Sequence, residues 1–118
     1  MTFGAILQDA VSQVDGALGA IMLDGDGIAV DEVRADPNLD LAIVAAEYST
    51  ILRETQRTGT ETGIGLPEEI TVRSSRTVLI IRRAGDGYFV VLALSPEANF
   101  GKGRFVLRRT VARLEDEL

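Results

Sequence analysis

The 118-residue chain has no cysteine, no histidine and a single lysine, Lys102. Lacking cysteine, it has no disulfides, no thiolate metal sites and no thiol nucleophile. Lacking histidine, it has neither the commonest general base nor the commonest metal ligand. A Ser-His-Asp or Cys-His arrangement therefore cannot be written on this sequence, and zinc would have only carboxylates and water to hold it. Aromatic residues are scarce at 5%, which leaves little from which to build a stacking pocket. No apolar run approaches the roughly 18 residues of a membrane span. Met1 to Ala10 has no basic stretch leading into an apolar one, so a secretory signal is not expected. These absences together predict a cytoplasmic protein with no cofactor and no chemistry of its own.

An apolar content of 46% with 25% charged residues is that of an ordinary globular chain, and the length suits a single domain over residues 1–118. The net charge of −6 argues against nucleic acid, whose phosphates need clustered cations. The charge is uneven. Residues 1–40 carry eight acidic side chains against one basic, Arg34, whereas Lys102, Arg104, Arg108, Arg109 and Arg113 crowd the last segment. Such a basic helix could meet an acidic protein or lipid; a solvated outer face is the plainer reading.

Apolar spacing sets the elements. Phe3, Ile6, Leu7, Ala10, Val11 and Val14 recur at helical intervals. Ala17–Leu23 and Ile28–Val33 read as strands joined by a tight turn at Asp24-Gly25-Asp26-Gly27. Asp36-Pro37-Asn38 reads as a helix start, with Asp36 or Asn38 capping and Pro37 in the first turn. That helix is expected over Leu39–Thr58, ended by the loop Gly59–Gly65. Strands follow at Glu69–Ser74, Thr77–Ile81 and Tyr88–Leu94, then a helix from about Asn99 towards Leu118. The half-polar Glu69–Ser74 suits a sheet edge, with Ile70 and Val72 on one face. The last two strands are apolar on both faces and suit a sheet centre. The predicted fold is α/β (α+β): α-β-β-α-β-β-β-α, a five-stranded antiparallel sheet with helices on both faces.

The middle helix carries a surplus. Leu41, Val44, Ala45, Tyr48, Leu52 and Thr55 form an ordinary core stripe, but Leu39, Ala42, Ile43 and Ala46 spread over much of the side meant for solvent. Ala42, Ala45, Ala46 and Ser49 are small enough to admit another backbone. An apolar patch of this kind marks an interface. Either the other helices cover it, or a second copy does across a two-fold axis.

Other motifs yield to plainer readings. Asp24-Gly25-Asp26-Gly27 opens like a calcium loop, but Ile28 and Ala35 stand where oxygen ligands belong. Gly101-Lys102-Gly103 echoes a phosphate loop, yet Pro96 replaces its first glycine and Gly103 its Mg²⁺-binding hydroxyl. The expectation there is a cap at Asn99 and glycines that let the helix approach the sheet. The neighbouring carboxylates Glu68-Glu69 and Asp31-Glu32 point to opposite strand faces and make poor acid–base pairs.

Three segments, Gly16-Ala17-Leu18-Gly19-Ala20-Ile21-Met22-Leu23-Asp24, Asp26-Gly27-Ile28-Ala29-Val30, and Leu94-Ser95-Pro96-Glu97-Ala98-Asn99-Phe100-Gly101 with Arg104, resemble the roadblock, or dynein light chain, family in wording and order. The resemblance spans nearly the whole chain. It implies a roadblock-like (profilin-like) fold and a homodimer formed by the middle helix and the first strand after it. On this sequence the dimer or partner interface would draw on Leu39, Ala42, Ile43, Ala46, Ser49, Thr50, Arg53, Ile70 and Val72. It also implies a Ras-like small GTPase as partner. The family's gliding-motility member accelerates GTP hydrolysis by reshaping the partner's own loops, so neither Arg53 nor Arg57 is nominated as an arginine finger. The competing expectations are a structural adaptor indifferent to nucleotide and a small-molecule sensor.

Overall fold

In the computed structural model, which describes residues 1–118, three helices and five strands follow the expected order: α1 (Phe3–Gln13), β1 (Ala17–Asp24), β2 (Ala29–Arg34), α2 (Leu41–Thr62), β3 (Glu69–Arg73), β4 (Val78–Ala84), β5 (Tyr88–Leu94) and α3 (Phe100–Asp116). All strand pairings are antiparallel, in the order β2-β1-β5-β4-β3. The strand read as an edge, β3, is one. Not only β4 and β5 but also β1 lies inside the sheet, buried on both faces.

Alternation along these strands sorts side chains into two cores. Met22, Ile80, Val90 and Leu92 face α1 and α3, whose Ile6, Leu7, Leu107 and Leu114 are fully buried there. Ile21, Leu23, Leu79, Ile81 and Val91 face the other way, towards Leu41, Ala45 and Leu52 of α2. Two helices thus share one sheet face, and α2 alone covers the other.

The local chemistry of the turns is as read, with one exception. One carboxylate oxygen of Asp24 accepts from the backbone N–H groups of Asp26 (2.9 Å) and Ile28 (3.0 Å), and Gly27 takes φ +83°, so the aspartate serves the hairpin itself. Asn99 caps α3 by accepting from the N–H of Lys102 at 3.0 Å. Gly103 lets α3 lie close on the sheet, since a Cβ there would stand 2.8 Å from a methyl of Leu94. The exception is the start of α2. Asp36 spends its carboxylate on a local turn, accepting from the Asn38 N–H at 2.9 Å. Helix α2 begins only at Leu41, capped by Asp40, which accepts from the Ile43 N–H at 3.2 Å. The chain needs those extra residues to bring Leu41 over Gly19 of β1, where it is fully buried.

The far end of α2 also differs from expectation, running one turn beyond Thr58 to Thr62, with Gly63 left-handed at its C-cap. Gly59 does not break the helix; it is buried within it. The returning loop crosses at that point, its Gly65 N–H donating to the Gly59 carbonyl at 3.2 Å. A Cβ on residue 59 would lie 2.1 Å from the Gly65 oxygen, so only glycine fits. Strand β4 likewise extends past Ile81 to Ala84, because Arg82 is accommodated by an ion pair to Glu69 across the ladder. No helix is long and apolar enough to cross a membrane.

Candidate interaction site

With α1 and α3 on the opposite sheet face, nothing in this chain covers the outer side of α2. The residues expected at an interface divide there into two groups. Ile43, Ala46, Thr50 and Arg53 are exposed, and Ile43 keeps 61% of its surface in solvent. Leu39 and Ala42 are half-buried against the α2-side core, so that part of the apolar surplus is hidden within the subunit. Ser49 is buried beside the β1–β2 hairpin, where a Cβ on Gly27 would meet its hydroxyl at 2.6 Å.

Ser49 also organises the cation above it. Its hydroxyl donates to the Ala46 carbonyl at 2.6 Å and accepts from the Arg53 guanidinium at 3.2 Å, while Thr50 accepts from the same guanidinium at 3.4 Å. Arg53 therefore lies along its own helix. Arg57 is tied down in the same way, between Glu54 and Glu61. Its hydrogen bond to Glu54, and then that carboxylate's charge, hold its guanidinium further above its ordinary pKa.

On β3, Ile70 and Val72 point to the α2 side of the sheet, opposite Ile81 and Leu79 of β4, and both are half-buried. The other side of β3 has no strand beside it, so its backbone groups are free to pair. An unshielded helix face and an open strand edge thus occur in consecutive elements that border the same core.

The Roadblock/LC7 domain family model matches residues 4–93, which include every one of these interface residues. The chain belongs to the Roadblock/LC7 family. Among solved structures, this roadblock chain is similar to MglC from Myxococcus xanthus, at 37% identity over the whole of both chains with a TM-score of 0.76. It also resembles a Roadblock/LC7 domain from Streptomyces avermitilis, with 20% identity, 97% and 95% of the two chains covered and a TM-score of 0.85. Myxococcus xanthus MglB superposes with a TM-score of 0.86 at 12% identity, covering 97% and 92% of the chains. The latter two likenesses speak for the roadblock fold alone.

Along α2 and the loop to β3, the roadblock chain exposes three further large apolar side chains. Ile51 flanks the exposed half of α2 and keeps 48% of its surface in solvent. Ile64 (83%) and Leu66 (44%) sit in the loop between α2 and β3. They extend the apolar surface from the helix towards the strand. Ile51 could have been found by following the stripe of Val44 and Tyr48 one turn further. Ile64 and Leu66 carry no such signal, because a loop has no period.

Proposed function

We propose that this protein is a non-catalytic, homodimeric, cytoplasmic regulator or adaptor that binds a Ras-like small GTPase. The observation that carries the reading is the uncovered outer face of α2, with Ile43 and Ile51 exposed in a chain whose other helices lie across the sheet. An isolated subunit with this face in water would tend to associate. An isologous contact of α2 with α2, with β3 pairing to β3 across the same axis, would cover the face and occupy the free edge in one step. Membership of the roadblock family, and the 37% identity to MglC, support this arrangement.

The GTPase partner rests on the family resemblance. The paired helices would form the platform, and the platform would transmit a signal only by binding the GTP-bound and GDP-bound switch loops unequally. Stimulation of hydrolysis would then come from repositioning the partner's own groups, since Arg53 and Arg57 are both engaged along α2.

A pull-down of the cognate small GTPase, loaded in turn with a GTP analogue and with GDP, tests this reading. Preferential capture of one nucleotide state is expected. Capture that is equal in both states would instead identify an adaptor indifferent to nucleotide, and absence of binding in both would remove the GTPase from the account.

A further inference from the structure

The cations of α3 have two fates. Arg104 pairs with Glu69 of β3 and Arg113 with Asp9 of α1 at 2.6 Å, so these two bind the helix to its neighbours. Arg108 and Arg109, on the same helix, have no carboxylate within ion-pair distance, and neither has Arg83 near the end of β4. Arg108 and Arg109 line one groove of about 550 Å³ between α3 and the β4–β5 hairpin; Arg83 borders it from the strand, its side chain leaving β4 on the α2 side with Ile81 and Phe89. Arg82, already bonded to Glu69, lines it too. Arg82, Arg108 and Arg109 there outnumber two glutamates, Glu68 and Glu115, and one oxygen of Glu115 is taken by the N–H of Gly85 at 2.8 Å.

An apolar side chain accompanies the charge. Phe105 lines the same groove, keeps 58% of its surface exposed and has the guanidinium of Arg109 5.6 Å above its ring centre. Holding two unneutralised cations side by side costs energy, and the cost is unexpected in a chain with six more acidic than basic residues. A ligand carrying carboxylates would offset it, because guanidinium forks take carboxylates in paired hydrogen bonds.

Shape and sign narrow the partner. The groove is concave, whereas a bilayer presents a flat surface. Glu68 and Glu115 would also face any anionic headgroups. Nucleic acid would meet a molecule that is net negative. We propose that the groove binds an acidic peptide segment of a partner protein, Arg108 and Arg109 pairing with its carboxylates and Phe105 seating one of its aliphatic side chains. The groove lies on the α3 side of the sheet, opposite α2, so this site is separate from the interface described above.

The test is a fluorescence-anisotropy titration of the full chain with a short labelled peptide of Glu, Asp and Leu. A Gln, Asn and Leu version serves as control, and phosphatidylserine vesicles are assayed by co-sedimentation. Arg108→Glu/Arg109→Glu and Phe105→Ala alter only exposed side chains, and circular dichroism checks that both variants fold. The acidic peptide should bind and the neutral one should not. Affinity should fall by about tenfold or more in the double arginine variant, and by a few-fold in Phe105→Ala. Failure of the acidic peptide to bind, unchanged affinity in the double variant, or binding to vesicles in place of peptide would each overturn the proposal.

Discussion

Two glycines inside helices make opposite demands on a side chain. At Gly59 the obstacle is a backbone carbonyl, 2.1 Å from where a Cβ would stand, and backbone cannot step aside without moving the loop to β3. At Gly103 the obstacle is a methyl of Leu94, the end of a rotatable side chain. Alanine gains about 1 kcal/mol of helix propensity over glycine at either position. At Gly103 that gain should roughly offset the crowding. At Gly59 it should not, and Gly59→Ala is expected to lose about 1–3 kcal/mol. Urea unfolding of the two variants side by side checks the difference; equal stabilities would mean that the loop does not rest on α2 as described. Residue-scale reading of the sequence met its limit here. Asn99 and Asp24 were legible as cap and turn because their partners lie within four residues. The role of Gly59 depends on a residue six positions away that returns only once the chain has folded back. The start of α2 was misplaced for a related reason: Asp36, Asn38 and Asp40 are all competent caps, and the choice is made by Leu41 reaching the sheet.

Each element was legible to the extent that its burial has a period. The order of strands and helices follows from alternation and helical spacing, and β3 was readable as an edge from its polar positions. The charged Arg82-Arg83 end of β4 fell outside the strand expected over Thr77–Ile81 because the ion pair from Arg82 to Glu69 joins residues thirteen apart. Of the surplus that the sequence of this segment showed, Ile43 and Ala46 are exposed as expected, whereas Leu39 and Ala42 are half-buried; Ile51 joins the exposed set. A charge at the centre of that face should therefore separate subunits without disturbing the core. Ile43→Asp is expected to give monomers or aggregates while keeping its helical circular dichroism. If it remains a well-behaved dimer, the seam lies elsewhere. The basic groove was beyond reach at this scale, since Arg82 comes from β4 and Arg108 and Arg109 from α3.

For the whole molecule, the sheet separates two surfaces of different character. The α2 side offers apolar residues and leads to an open strand edge; the α3 side offers unpaired arginines in a groove. This division suits the proposed role of joining partners, a second copy and a GTPase through one side and an acidic segment through the other. The role proposed for the α2 side depends on a second subunit. Sedimentation equilibrium at micromolar concentration measures that directly, against a subunit mass of 12.7 kDa. The account predicts a particle of twice that mass, reduced to the single mass by Ile43→Asp if the variant stays soluble. A soluble wild-type particle of one subunit mass at the same concentration would contradict it.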